Sequence, residues 1–473
     1  MRKIVIDPVT RIEGHAKITI HLAEDGSVER TQFHVTQVRG FEKFTEGRPY
    51  YEMPAITARI CGICPVSHLL ASAKACDAIM AVRIPPAAVL LREAIHCGQI
   101  AQSHALSFFH LSAPDLLLGM DADPAKRNVL GLAEKHPEIA RDGIALRKFG
   151  QRVIERLAGE RVHPAGIVPG GVQSPLDAAG RDLILKELPE ARNIAWRTLD
   201  LFKCILDGFP SEIATFGKMP TMYAGLVGAD GNLALYDGRI RFQSATGAIV
   251  AEIDSTQYAD YMGEASLTDS YLKAPYFKPL GYPAGIYRVG PLARLNIAGC
   301  CGTPAADVEL REFRERFGPV VDSSFHYHYA RLIEVIYCLE RLQMLLEMPA
   351  ILDRHVRSRA EVNALEGIGV AEAPRGILIH HYKVDERGAM QWANLIIATG
   401  HNNLAINRSI EQVSRFYVKG NRLQEGMLNR VSAVVRAYDP CLSCSTHAGG
   451  IVPLRIELLG PQGEKLDEVT SGA

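Results

Sequence analysis

Four cysteines in two Cys-x-x-Cys pairs carry the most specific chemistry of this chain: Cys61-Gly62-Ile63-Cys64 and Cys441-Leu442-Ser443-Cys444. In each pair a tight turn can aim both sulfurs to one side, which makes a two-thiolate clamp. Thiolates are soft ligands; four together select zinc, copper(I), nickel or iron and reject magnesium and calcium. Zinc ribbons set their pairs roughly 15–20 residues apart, whereas most of this 473-residue chain lies between these two. That separation predicts a metal at the centre of a large fold, with ligands drawn from both ends of the polypeptide. A structural zinc staple is the competing reading of the cysteines alone.

The elements that must position the clamps are partly legible. Lys3–Ile6, His15–His21 and Val28–Val38 read as strands, with a turn at Asp25-Gly26 and the alternation of a half-buried antiparallel sheet. From about residue 53 the pattern turns helical. Pro85-Pro86 opens a long helical segment to about Ser112, and 137–159, 177–206 and 327–347 follow. In the last, Leu332, Val335, Ile336, Leu339, Leu342 and Leu345 fall at helical spacing, which predicts a central helix. Residues 238–253 and 376–399 return to strand composition, the second with a turn at 385–388. A helix at 426–437 leads into the second cysteine pair, and 451–459 with 465–469 reads as a small hairpin. The expected class is α+β: a helix-rich core, a small N-terminal antiparallel sheet and further short sheets, with the site built from both chain ends.

Composition narrows the partners. A formal charge of −1 gives no footprint for nucleic acid or an anionic membrane surface. No apolar run is long enough to span a bilayer. Asp7 interrupts the N-terminus before a signal-peptide core could form, and ten cysteines without an export signal suit reduced thiols. The expected compartment is the cytoplasm.

Several strings surround the cysteines: Thr10-Arg11-Ile12-Glu13-Gly14-His15, Arg39-Gly40-Phe41-Glu42, Arg59 through His68, Ala373-Pro374-Arg375-Gly376, and Asp439 through His447. In this order, near these ends, they resemble the large subunit of nickel–iron hydrogenases over essentially the whole chain. The first pair and its neighbourhood through Lys74-Ala75-Cys76-Asp77 are most similar to the soluble bidirectional, NAD-reducing subgroup. The resemblance implies an enzyme that reversibly splits dihydrogen at a nickel–iron centre, the iron carrying carbon monoxide and cyanide. Cys64 and Cys444 would bridge the metals, and Cys61 and Cys441 would bind nickel alone. Cys441 or its terminal neighbour would be the first proton acceptor, with Glu13 as the relay beyond it. Glu13 read alone is a capping carboxylate paired with Arg11.

Arg375 offers a permanently charged fork over the open metal position, Pro374 a rigid wall, and Asp439 an anchor for Arg375. Taken singly these are a surface arginine and an Asp-Pro turn. His68, four residues beyond Cys64, would face the same side of a helix and could donate a hydrogen bond to the bridging sulfur; a core histidine is its plain reading. The resemblance also implies a magnesium held by Glu42 and His447. Where many relatives carry an aspartate, Ser103 stands here.

The resemblance further implies that residues 1–447 form one interlocked catalytic unit. Residues 448–473, an extension, would be removed by a maturation endopeptidase after His447. Cys76, Cys97, Cys204, Cys300, Cys301 and Cys338 show no further ligand spacing and are expected as buried small hydrophobes. No dinucleotide-binding glycine fingerprint follows a strand. The resemblance implies iron–sulfur clusters and flavin only in partners: diaphorase subunits that reduce NAD, reached through an iron–sulfur small subunit. Three alternatives accompany this reading: the same centre serving a deazaflavin or heterodisulfide-linked acceptor, a zinc scaffold, and a coupling subunit of the respiratory complex I type. The four intact cysteines speak against the last.

Overall fold

Helices buried around most of their circumference form the centre of the molecule. The computed structural model describes residues 2–38, 40–268, 270–419, 424–446, 454–459 and 465–471. Within them α1 spans Pro65–Met80, α2 Pro86–Ala105, α3 Pro137–Ala158, α4 Ala178–Leu206, α5 Pro291–Ile297 and α6 Tyr327–Glu347. Helix α6 is buried at every position from Tyr327 to Glu340, as its apolar periodicity predicts. It packs on α2 and α4, and α3 packs along α2. Proline at the first turn opens α1, α2, α3 and α5, where its missing N–H costs no intrahelical bond. The Asp177 side chain caps α4 by accepting from Gly180 N at 2.7 Å.

The expected long helix after Pro85-Pro86 departs from α-geometry. Beyond Ala105 the chain continues as a π-helix over Leu106–Ser112 and returns to α-helix at Ala113–Leu118. Such insertions rotate the following side chains and concentrate at functional sites; here Ser103 and Asp115 on either side both face the site network described below.

The N-terminal sheet is an antiparallel meander of β1 (Arg2–Ile6), β2 (Ala16–Leu22) and β3 (Val28–Val35). Its register sets Ile4 opposite Ile20 and Ile18 opposite Phe33 on the core face. A second meander comprises β4 (Glu366–Ala373), β5 (Gly376–Val384) and β6 (Met390–Ile396), all antiparallel. Strand β4 lies directly on α1. A Cβ on Gly369 would come within 1.9 Å of Ala71 O, and one on Gly367 within 2.1 Å of Ala75 O. Only glycine permits that approach. A four-stranded sheet centred on Met222–Val227 packs against α5. Helix α7, Glu425–Tyr438, leads into the short α8, Leu442–Ser445. The C-terminal strands β7 (Leu454–Leu459) and β8 (Lys465–Ser471) pair antiparallel, as the expected hairpin. Among the described residues no helix is long and apolar enough to cross a membrane.

Candidate metal centre

The two clamps meet. Cys61 follows a 3-10 turn at Ala58–Ile60, and Cys64 is the N-cap of α1, where the helix dipole favours a thiolate. Ile63 N and Cys64 N donate to Cys61 Sγ at 3.2 and 3.3 Å. The turn is held from behind, because Ile63 O accepts from Gln99 Nε2 at 2.7 Å and Gln102 Nε2 at 2.6 Å, both on α2.

The second clamp is seated by the N-terminal segment. Helix α7 ends at Asp439 in the left-handed region, φ 55°, and Pro440 prevents its continuation. Cys441 N donates to Thr399 Oγ1 at 2.9 Å. Glu13 lies alongside Cys441 as a parallel bridge; its carbonyl accepts from Leu442 N at 3.2 Å and its Oε2 from Ser443 N at 3.0 Å. Glu13 thus caps α8, the turn that carries Cys444. Gly14 has φ +84°, and a Cβ there would reach 2.8 Å from Leu442 Cβ and 2.9 Å from Ser443 N. Glycine is required twice over, by conformation and by space. The pairing of Glu13 with Arg11 anticipated from their closeness in sequence is replaced by another: Arg11 bonds Asp115, which also receives Arg436 Nε at 2.9 Å.

Cys61 and Cys441 sulfurs stand 3.4 Å apart, Cys64 and Cys444 3.9 Å, and all four lie buried within 4.8 Å of one another. The electrostatics are those of a shared-proton cluster. Hydrogen bonds from Cys441, Cys444 and Cys61 push the Cys64 thiol well below its ordinary value, while burial pushes Cys441 and Cys444 well up. Four buried sulfurs at this spacing fit a soft cation that displaces their protons. His68 adds a further sign of fit: it is fully buried beside Cys64, and its Nε2 has no hydrogen-bond partner.

Pro374 and Arg375 form the two-residue turn between β4 and β5, buried at the rim of the sulfur cradle. Arg375 Nε bonds Asp439 O, its Nη2 lies 3.1 Å from each Asp439 carboxylate oxygen, and its Nη1 donates to Ser103 Oγ at 3.4 Å. Burial opposes its charge, but Asp439 and the sulfurs of Cys441, Cys64 and Cys61 outweigh it and hold the guanidinium protonated. Ser103 therefore contacts Arg375 where a further carboxylate would add to the charge of Asp439.

Sequence reasoning missed what holds this turn. Arg294 on α5 is fully buried, and all five of its N–H groups are bonded. They reach Glu334 Oε1 and Oε2 at 2.6 Å each, Glu372 Oε2 at 2.7 Å, Ala373 O at 3.0 Å and Pro374 O at 3.1 Å. His104 Nε2 lies 2.7 Å from Glu334 Oε2. The signal available in the sequence is Glu334 on the apolar run of α6 and Glu372 three residues before Arg375.

Glu42 is not part of the four-sulfur group; it sits on a helical turn at Phe41–Phe44, and its Oε1 accepts from Leu395 N at 2.8 Å. His447 lies outside the described residues. Among the described residues, the four cysteines are the one group of three or more side chains spaced for a metal ion. Cys76, Cys97, Cys301 and Cys338 are buried as expected. Cys204, on α4, is exposed and Cys300, in the loop after α5, is half-buried, so those two depart from the expected burial.

Comparison with known proteins agrees with this geometry. A family profile described as nickel-dependent hydrogenase matches residues 39–143 and 232–447, and one described as HoxL-like matches residues 3–38. The chain is 41% identical to the beta subunit of the NAD-reducing hydrogenase HoxS of Cupriavidus necator, covering 99% of each. It is 43% identical to one chain of the F420-non-reducing hydrogenase vhu of Methanocaldococcus jannaschii, over 89% of this chain and 100% of that one. A solved NAD+-reducing [NiFe]-hydrogenase in the H2-reduced state superposes with a TM-score of 0.92 at 44% identity, over 94% of this chain and 100% of that one. The fold extends to the Ni-Fe-Se hydrogenase of D. vulgaris Hildenborough, with a TM-score of 0.78 at 22% identity over 94% of this chain and 100% of that one. The four buried cysteines thus belong to a catalytic chain, and this protein is a member of the nickel-dependent hydrogenase family.

Proposed function

We propose that this chain is the catalytic subunit of a cytoplasmic hydrogenase that passes electrons from dihydrogen to an iron–sulfur small subunit, then through diaphorase subunits to NAD. The balance is H2 + NAD+ → NADH + H+: two electrons leave for the partner chains and two protons for solvent, one of which is taken up again where NAD+ is reduced. The observation that carries the reading is the meeting of Cys61, Cys64, Cys441 and Cys444 within 4.8 Å in a buried cradle. A nickel–iron centre held there, its iron bearing carbon monoxide and cyanide, would accept the electrons of the H–H bond.

The chain's own residues do the rest. Cys441, beside Glu13 along a shared bridge, takes the proton on its sulfur, and the Glu13 carboxylate relays it outward. Arg375, fixed by Asp439, presents a constant positive charge to the anionic sulfurs and diatomic ligands. Pro374 walls the open position against water. Glu42 and His447 would hold a magnesium. Residues 448–473 would be cut away after His447 by an endopeptidase once the metal is loaded. That reading draws support from the profile match ending at residue 447 and from the solved relative, whose full length corresponds to 94% of this chain.

The comparable identity to the methanogen chain favours a second acceptor, reached through a heterodisulfide-linked complex. Anaerobic co-purification separates the two readings. NAD-dependent hydrogen uptake by a complex that includes flavin-bearing subunits supports the first. Hydrogen-dependent dye reduction without NAD reduction by the intact complex rejects it.

A further inference from the structure

Arg354, His355, Arg357 and Arg359 fall together at 354–359, on the arm between α6 and β4, and all are exposed. The arm is held as a strand. Val172 N donates to Val356 O at 3.0 Å and Ser358 N to Gly170 O at 2.9 Å, and Gly171 faces Arg357 as an antiparallel bridge. It thus lies beside the paired short strands Ile167–Val168 and Gly171–Val172. A Cβ on Gly170 would come within 1.9 Å of Ser358 O, and one on Gly171 within 2.0 Å of Val356 O, so glycine alone admits the arm. Side chains of α1 and α2 anchor this small sheet: Gly170 N donates to Asp77 Oδ1 at 2.6 Å, and Arg92 bonds Gly171 O at 3.0 Å and Val168 O at 2.8 Å.

Strand alternation sorts the side chains. Val356 and Ser358 turn inward, the first buried and the second donating from Oγ to Arg83 O at 2.9 Å. His355, Arg357 and Arg359 share the outward face, about 6.6 Å apart, with Arg354 at one end and the exposed Arg83 alongside. Among the described residues none of these four arginines is in an ion pair, whereas the exposed Arg161 and Arg197 each hold a carboxylate. Arg357 Nε donates to Pro169 O at 3.1 Å, and its terminal nitrogens bond no described residue. Burial and the positive charge of Arg359 both lower the pKa of Arg357, and no carboxylate opposes them. The flanking acids leave the row unbalanced: Asp353 Oδ1 accepts from His355 N at 2.9 Å, and Glu361 pairs with none of the four.

We propose that this face docks an acidic segment of another protein chain, whose carboxylates pair with Arg354, Arg357 and Arg359. Positive charges in a row at strand spacing suit carboxylates spaced along a second backbone, each met by the planar fork of a guanidinium. A single phosphate needs donors that converge on one point. A nucleic acid needs a basic surplus, which a chain of net charge −1 lacks. Uncompensated charge of one sign also speeds encounter with a surface of the other. The proposal rests on neither the metal nor the electron acceptor.

Arg357→Lys keeps the charge and supplies an amine that a carbodiimide joins to a touching carboxylate with loss of water. Applied to the anaerobically purified assembly, the reagent should form an amide bond between position 357 and an Asp or Glu of a co-purified chain, read by mass spectrometry. Cross-links from that position only within this chain or to a second copy of it overturn the proposal. So does their absence while other lysines of the same sample do cross-link. Fluorescently labelled octaglutamate tests the chemistry on the full chain by itself. An exposed ion pair contributes about 1.4–5-fold to binding. Arg354→Ser, Arg357→Ser and Arg359→Ser combined should therefore weaken the peptide roughly tenfold, while lysine at the same three positions retains it. Equal binding by wild type and the serine variant overturns the proposal, as does a single-stranded RNA that binds more tightly than the peptide and is lost in that variant. A chain that purifies alone counts against the assembly proposed above, and the peptide then decides this proposal by itself.

Discussion

Replacing Arg294 by methionine removes a fully buried guanidinium whose five N–H groups hold Glu334, Glu372 and the carbonyls of Ala373 and Pro374. Burial by itself raises the pKa of Glu334, but the charge and hydrogen bonds of Arg294, aided by His104, outweigh it and hold the carboxyl at about 2. Against an ordinary 4.5, that depression corresponds to about 3 kcal/mol of stability at neutral pH. Loss of one partner from a buried ion pair costs roughly 3–5 kcal/mol, so two routes give the same magnitude. Because the folded pKa is the depressed one, this contribution is complete above pH 4.5 and is lost as pH falls toward 2. The gap between wild type and variant therefore narrows in acid. Denaturant unfolding of Arg294→Met, Glu334→Leu and the double variant forms a cycle. Each single change should cost about 3–5 kcal/mol, and the double should cost less than their sum by about 2 kcal/mol. Activity should fall further than stability, because the freed Pro374-Arg375 turn no longer fixes the guanidinium over the sulfurs. Additive single losses, or losses below about 1 kcal/mol, would refute the assignment of Arg294 as the clamp of that turn.

Glu13→Gln should abolish proton-coupled turnover while nickel content stays at the wild-type level; full activity in the variant rejects the relay. Gly14→Ala forces a side chain into the left-handed region, at about 1–2 kcal/mol, and drives its Cβ against Leu442 and Ser443. The expected result is a folded chain that loses its metal during gel filtration, whereas normal retention would show that the contact does not seat the second clamp. Acid should unfold the protein steeply. Burial holds His96, His104 and His326 at about 4 and His328 and His401 at about 3, all below the ordinary 6.5 of the unfolded chain. Stability is thus complete above pH 6.5 and declines as pH falls, by about 1.4 kcal/mol per pH unit for each, or roughly 7 kcal/mol for the five. A urea midpoint that is flat between pH 6.5 and 5 contradicts this.

The site was legible wherever residue chemistry is narrow. Four thiolates in two clamps admit few uses, and the helix at Tyr327–Glu347 announces itself by period. Strand β4 was not legible, because Glu366-Gly367-Ile368-Gly369 reads against strand propensity; its glycines serve the approach of α1, which only packing reveals. The π-helix at Leu106–Ser112 leaves no mark in an apolar pattern. The ion network stayed hidden for a related reason. Arg294, Arg436 and Asp115 look like surface charges one at a time, and only the fold brings each to its partner. Asp439 as the partner of Arg375 was reachable because each flanks a stronger signal. Arg11 shows the opposite case, since closeness in sequence suggested Glu13 and the fold supplies Asp115.

The most direct test of convergence is nickel X-ray absorption with metal analysis on anaerobically purified chain, wild type beside Cys61→Ser and Cys441→Ser. Sulfur atoms from both chain ends in one coordination shell predict equimolar nickel and iron in the wild type, a sulfur-dominated nickel shell, and loss of nickel from each variant. Zinc in place of nickel, or wild-type nickel retained when a cysteine from either end is removed, would contradict the account.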